Sequence, residues 1–278
     1  MTRRVLMLAA ILAFGGMALL PPRSSLAADH VADSQAGNAA AELIKRVAPH
    51  YPAKAVEHRQ EGWVDLRFTV TPEGTTSDIW VVGAYPKGVF ERNAKNALGK
   101  WIYAPRKENG IAVPQPNNRV ILSFALSDSR TIRPELAPTF EAASDAIRDR
   151  NWDDALKALG DISKTRSLTL YEAAVLEELR GRLDFGEGRF NAAADSLGRA
   201  LAANSHFDPD TRAEVTELMV MSSLNGRDFA RGVQTFDHWS PPQGWDTRSL
   251  RRAVEAARGA MDTGRPVALP RLTPAEDQ

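Results

Sequence analysis

The sequence contains no cysteine. Disulfide staples, thiol nucleophiles and cysteine-ligated metals are excluded, so the apolar core must hold the fold. Neither charge is in excess: 35 Lys plus Arg face 35 Asp plus Glu in 278 residues. The chain lacks an overall field that would attract nucleic acid or an anionic membrane surface. Catalytic signatures are missing as well. There is no Gly-x-Ser-x-Gly, no phosphate loop and no Gly-x-Gly-x-x-Gly. The five histidines, His30, His50, His58, His206 and His238, never stand at i, i+4 around a carboxylate. Asp153–Asp154 and Glu177–Glu178 pair carboxylates, but off the apolar stripes of their helices, and they are expected on solvated faces. No catalytic residue, metal site or cofactor is expected, and the chain reads as a non-enzyme.

Long apolar runs are confined to the amino terminus. Arg3 and Arg4 precede sixteen uncharged residues, Val5 to Leu20, and Ser25-Leu26-Ala27-Ala28 follows. Basic start, apolar middle and small-residue exit are the order of a secretory signal. As a helix the run reaches about 24 Å, against a hydrocarbon core of about 30 Å. Residues 1–27 are therefore expected to be a signal peptide that sends the rest to the periplasm. An uncleaved inner-membrane anchor is the alternative. Residues 28–44 are small and polar and read as a linker, with a short helix at Ala39 to Ile44.

What is present divides into two units with different periods, an α+β unit followed by an all-α one. In residues 45–126, Pro52 can open a short helix that Gly62 closes. Val64, Leu66, Phe68 and Val70 alternate with Asp65, Arg67 and Thr69, the pattern of a half-buried strand. A turn at Thr71–Gly74 leads to a second strand, Asp78 to Ala84. Phe90, Ala94, Ala97, Leu98 and Trp101 recur at helical spacing. Trp101-Ile102-Tyr103-Ala104-Pro105 then leaves in extended form, and Arg119 to Leu126 is the last strand.

Residues 138–262 carry a longer repeat. Trp152, Phe190 and Phe229 each follow a short polar turn and start a helical apolar stripe, at spacings of 38 and 39 residues. Pairs of helices explain both the period and the turns. Leu168, Tyr171, Val175 and Leu179 mark one preceding helix, and Val215, Leu218 and Met219 another. Leu250, Ala253, Val254, Ala257 and Met261 mark a closing helix. The loop around Trp245 is expected to connect repeats. Residues 263–278 are Pro-rich and expected to be a flexible tail. Residues 45–126 hold 12 basic and 7 acidic side chains, and residues 127–278 hold 20 and 25. The two units have opposite net charge and could attract each other.

Tyr51-Pro52, Ala55, Gly62-x-Val64, Phe68-x-Val70, Gly74, Phe90, Ala94, Ala97, Trp101, Tyr103, Pro105 and Gly110 together resemble the TonB carboxy-terminal domain. The helical pairs resemble tetratricopeptide (TPR) repeats, which stack into an α-solenoid with a concave groove. The first resemblance implies a small three-stranded antiparallel sheet with one helix packed across it. Tyr51, Pro52, Gly62, Gly74, Phe90, Trp101 and Pro105 are then structural. It also implies that the last strand receives an extended segment of an outer-membrane receptor. Here that strand carries Arg119, Val120, Ile121, Leu122, Ser123 and Phe124. A homodimer through the same edge stays open. Transducers of that family keep a membrane helix, follow it with a proline-rich spacer, and end at this domain. Here residues 28–48 hold no proline, and helical repeats follow. The expected function is periplasmic binding or scaffolding of envelope proteins. The alternative is a membrane-anchored energy transducer for receptor-dependent transport.

Overall fold

The computed structural model describes residues 41–127, 130–165, 167–203, 207–267, 269 and 271–274. The expected signal segment lies outside these residues, as does most of the expected linker. The described chain opens with strand β1 (Glu42–Lys45), where a helix was expected, followed by helix α1 (Ala53–Glu57). Strands β2 (Gly62–Val70) and β3 (Thr76–Tyr85) form a hairpin, and helix α2 (Glu91–Leu98) follows. Short strands β4 (Ile102–Ala104), β5 (Lys107–Glu108) and β6 (Ile111–Ala112) lead into the long β7 (Gln115–Phe124).

The main sheet is antiparallel, in the order β3-β2-β7. Val64, Leu66, Phe68 and Val70 of β2 share one face with Val120, Leu122 and Phe124 of β7. Phe90, Ala94 and Leu98 close that face, and none of them has measurable exposure. The small Ala94 lets the helix approach the sheet closely. Phe90 stacks on Phe124 at 4.3 Å between ring centroids, and Tyr51 meets both rings edge-on at 5.6 Å.

Trp101 lies beyond the end of α2, which is shorter than its apolar stripe implied. Its ring is buried and its indole N–H donates to the Val47 carbonyl at 2.8 Å. The extended Tyr103 that follows pairs with Leu43 of β1, and its N–H donates to the Gly74 carbonyl at 2.8 Å. Gly74 has a left-handed φ of +81°, and a Cβ there would lie 2.1 Å from the Tyr103 carbonyl oxygen. The Trp-x-Tyr-x-Pro stretch is therefore a clasp. Trp101 covers the core and Tyr103 pairs on both sides, while Pro105 lies against Gly74. Gly62 opens β2 rather than ending α1. A Cβ on it would fall 1.8 Å from the Tyr85 carbonyl oxygen, so glycine is what allows β3 to lie there.

The all-helical half holds α3 (Ala137–Arg148), α4 (Trp152–Ser163), α5 (Leu170–Gly186), α6 (Phe190–Ala203), α7 (Pro209–Asn225), α8 (Phe229–Asp237) and α9 (Arg248–Thr263). Three turns join α3 to α4, α5 to α6 and α7 to α8, and their main-chain bonding matches. Asn151, Arg189 and Asp228 each donate to the carbonyl five residues back. Arg150, Gly188 and Arg227 each donate three residues back and each take a positive φ. Such closures satisfy the last carbonyls of a helix. Trp152, Phe190 and Phe229 begin α4, α6 and α8 directly after these turns. Helices α5 and α7 are apolar on more than one side because both are interior. Leu156 departs from its stripe and is exposed. Trp245 does tie down its loop, its indole N–H donating to Glu217 Oε2 at 2.9 Å.

Candidate protein-binding edge and the charged interface behind it

Strand β7 is an edge strand. Among the described strands it pairs with β2 alone, from Gly62 opposite Phe124 to Arg67 opposite Arg119. Residues Arg119 to Phe124 thus lie at one end of the strand order, and edge strands are where a further strand adds in general. Their side chains are not all free, however. Val120, Leu122 and Phe124 point into the core with α2, while Ile121 joins the apolar cluster of the helical half, with Trp63 beside it. The sheet is covered on both faces, by α2 on one and by α5 and α6 on the other.

The second face was not legible in the alternation. Asp65 has no exposure, although it occupies a polar position of β2. Arg119 Nε donates to Asp65 Oδ1 at 2.8 Å, and Nη2 donates to Oδ2, a fork that fixes both groups. Arg119 Nη1 donates to Asp195 of α6 at 2.9 Å, and Arg231 of α8 donates to the same oxygen at 2.7 Å. Burial pushes the Asp195 carboxyl up, but Arg231 and Arg119 outweigh it and hold the group below its ordinary value. Arg199 of α6 spans Glu177 at 2.7 Å and Asp65 at 4.0 Å, with its guanidinium 5.4 Å from the Trp63 ring centroid. One chain of alternating charge therefore joins β2, β7, α5, α6 and α8.

Two further links tie the halves together. Glu61, just before β2, is buried. Its Oε1 accepts the Leu126 N–H at 2.8 Å and its Oε2 accepts the Leu170 N–H at 2.7 Å. The carboxylate holds the exit of β7 against the first turn of α5, where a negative charge suits the helix end. Tyr85 of β3 donates its hydroxyl to the Thr165 carbonyl at 3.3 Å, and burial pushes its pKa up to about 12.

The Glu177–Glu178 pair corrects the sequence reading. Both are buried, Glu177 against Arg199 and Arg180, Glu178 against Arg182. Their helix has neighbours on the side that the apolar stripe left open. Asp153 and Asp154 are exposed as expected. Sequence reasoning missed Glu61, Asp65 and Arg199. One signal was available: Trp63 alternates onto the same strand face as Asp65, a large apolar ring on a face otherwise read as solvated. Among the described residues, no group of three or more His, Asp or Glu side chains could hold a metal ion, and no helix is long and apolar enough to cross a membrane.

Residues 47–126 match the family model described as Gram-negative bacterial TonB protein C-terminal. The chain is 42% identical to Protein TonB of Escherichia coli strain K12 over 71 residues, 25% of this chain and 30% of that protein. It is 37% identical to Protein TonB of Klebsiella pneumoniae over 83 residues, 30% of this chain and 33% of that protein. It thus spans about a third of the length of these curated relatives. A solved structure from the molecular characterization of the TonB2 protein of Vibrio anguillarum is 34% identical, covering 41% of this chain and 100% of that one, with a TM-score of 0.28. By these sequence matches, residues 47–126, the part of the chain that carries the three-stranded antiparallel sheet, are similar to the TonB C-terminal domain.

Proposed function

We propose that this chain is a non-enzymatic protein-binding component of the cell envelope, and that the outer edge of β7 takes up an extended segment of a partner protein. The observation that carries this reading is the placement of Arg119–Phe124 on an edge, in a segment with a TonB-type match. Strand addition uses main-chain hydrogen bonds for affinity. Four or five such bonds at about 1 kcal/mol net each, less the cost of ordering the peptide, give weak and reversible association. A segment of an outer-membrane receptor is the partner that the family likeness suggests, and a second copy of β7 is the competing occupant.

The interface behind the sheet favours a scaffold over a force transducer. The sheet is bonded to the helical half through Asp65, Arg119 and Asp195, so the two halves would present their surfaces in fixed relation. The helix pairs, with their three like-built turns, are read as TPR-like repeats. In this reading residues 1–27 are a signal peptide and the mature chain is periplasmic. Cell fractionation separates this from the anchored reading: a soluble mature chain beginning near Ala28 supports the scaffold, and a membrane-retained chain keeping Val5–Leu20 supports the transducer.

Amide hydrogen exchange of the full chain tests the edge directly. Adding peptides from candidate outer-membrane receptors is expected to slow alternate amides of β7, and those of the core strand β2 much less. Unchanged exchange in β7 alongside demonstrated binding would move the contact elsewhere.

A further inference from the structure

The carboxy-terminal segment was expected to be loose, yet its described part is seated on the helical half. The chain leaves α9 at Gly264, which has a φ of +64°. Its described residues 265–267, 269 and 271–274 carry no helix or strand, and several of them meet the end of α7 and the start of α6. The Arg227 Nη1 group donates to the Val267 carbonyl at 3.2 Å. Asn225, the last residue of α7, reads the main chain twice. Its Nδ2 donates to the Leu272 carbonyl at 2.8 Å and its Oδ1 accepts the Leu272 N–H at 2.9 Å. Leu269 and Leu272 pack on the helical core, and the Arg271 guanidinium lies 5.3 Å from the centroid of the Phe190 ring.

This is the chemistry of peptide recognition. A side-chain amide that pairs with one residue's N–H and carbonyl fixes an extended chain without demanding any side chain. Leu269, Arg271 and Leu272 supply the sequence preference, two by apolar contact and one by a cation over a ring. A shallow open depression adjoins Phe190, lined by Gly188, Arg189, Asn191, Ala192 and Gly226. A Cβ on Gly226 would fall 2.3 Å from the Asn191 Oδ1, so glycine is what lets that side chain lie there.

We infer that the surface formed by Asn225, Arg227 and Phe190 is a binding site for an extended peptide of the pattern Leu-x-Arg-Leu, and that the described part of the tail, through Val267, Leu269, Arg271 and Leu272, is its tethered occupant. A partner protein presenting that pattern displaces the tail. The tether raises the tail's local concentration and so sets the threshold a partner must exceed. This site is carried by observations separate from the β7 edge and stands or falls without it.

The probe is a labelled synthetic peptide of sequence RPVALPRLTP, followed by fluorescence anisotropy against the full chain. A tail-released chain, Leu269→Asp with Leu272→Asp, is expected to bind it, and the unaltered chain at least roughly 10-fold more weakly because its own tail competes. Adding Asn225→Ala to the released chain is expected to abolish binding, and a peptide with both leucines replaced by serine is expected to fail. Circular dichroism checks that each variant is folded. Should the double Asp variant unfold, Arg271→Glu in the full chain gives a milder release. A folded, released chain that ignores the peptide overturns the inference. So does equal affinity of released and unaltered chains. A concentration-dependent dimer that the peptide does not dissociate would assign the tail to a second copy, against a partner.

Discussion

Asp65 of the central strand and Arg119 of the edge strand are joined by a two-bond fork across the sheet face that α6 covers. The carboxylate has no exposure and the guanidinium side chain is 10% exposed. An ion pair this deep constrains geometry more than it adds stability, because taking both charges out of water offsets most of their attraction. Removing one partner is a different matter, since the other is left buried and uncompensated. Asp65→Ala is expected to cost about 3–5 kcal/mol in urea unfolding. Replacing both, Asp65→Leu with Arg119→Leu, is expected to recover most of that loss. A single variant within about 1 kcal/mol of the unaltered chain would show that water already reaches the pair.

Glu61 makes a second prediction about how the halves stay together. One carboxylate satisfies the N–H groups of Leu126 and Leu170, which belong to different halves of the chain. Glu61→Gln keeps the shape but offers a single acceptor oxygen. One buried donor then goes unsatisfied, at a cost of about 1–3 kcal/mol. Hydrogen exchange should locate that loss at Leu126 or Leu170. Exchange that rises evenly along the chain would contradict the assignment.

Two glycines should answer differently to the same substitution. Gly62→Ala drives a Cβ into the Tyr85 carbonyl, where backbone must shift, and is expected to prevent stable pairing of β2 with β3. Gly110 has a φ of +82° but nothing within 4 Å of the added carbon. Gly110→Ala should therefore cost only the left-handed backbone strain, about 1–2 kcal/mol. Thermal unfolding of the two variants checks the ranking.

Acid should loosen the interface. Burial raises the Asp195 carboxyl, but Arg231 and Arg119 hold it below its ordinary 3.8; burial likewise opposes, and Arg133 with two backbone donors prevails, at Glu172 below 4.5. A depressed folded pKa means that the unfolded chain binds the proton more readily. The stabilisation is therefore complete above the unfolded values and disappears as pH falls through the folded ones. The Tm is expected to fall as pH drops below about 5, with a shallower slope in Asp195→Asn. Parallel slopes in the two chains would remove Asp195 from the account.

Much of the architecture was legible along the chain. The alternation from Val64 to Val70 placed β2, the apolar spacing after Phe90 placed α2, and the aromatics Trp152, Phe190 and Phe229 marked the starts of three helices. These signals survive because each arises within one element. The short strands β1, β5 and β6 carry too few residues for a period to show. The role of β7 as a receiving edge was inferred from family likeness; the structure gives its pairing with β2. Its local sequence says nothing of how many neighbours it has.

What the sequence determined by itself was where the longer elements lie and which apolar stripe each must bury, because backbone period and side-chain type are local properties. Only the tertiary structure decided the fate of the polar stripes. Asp65, Glu61, Glu177 and Glu172 look like residues for water, and each is buried because an arginine or a backbone N–H from a distant segment meets it there. A charged side chain carries no mark of whether its partner will be solvent or protein; that depends on which surfaces the completed chain brings face to face.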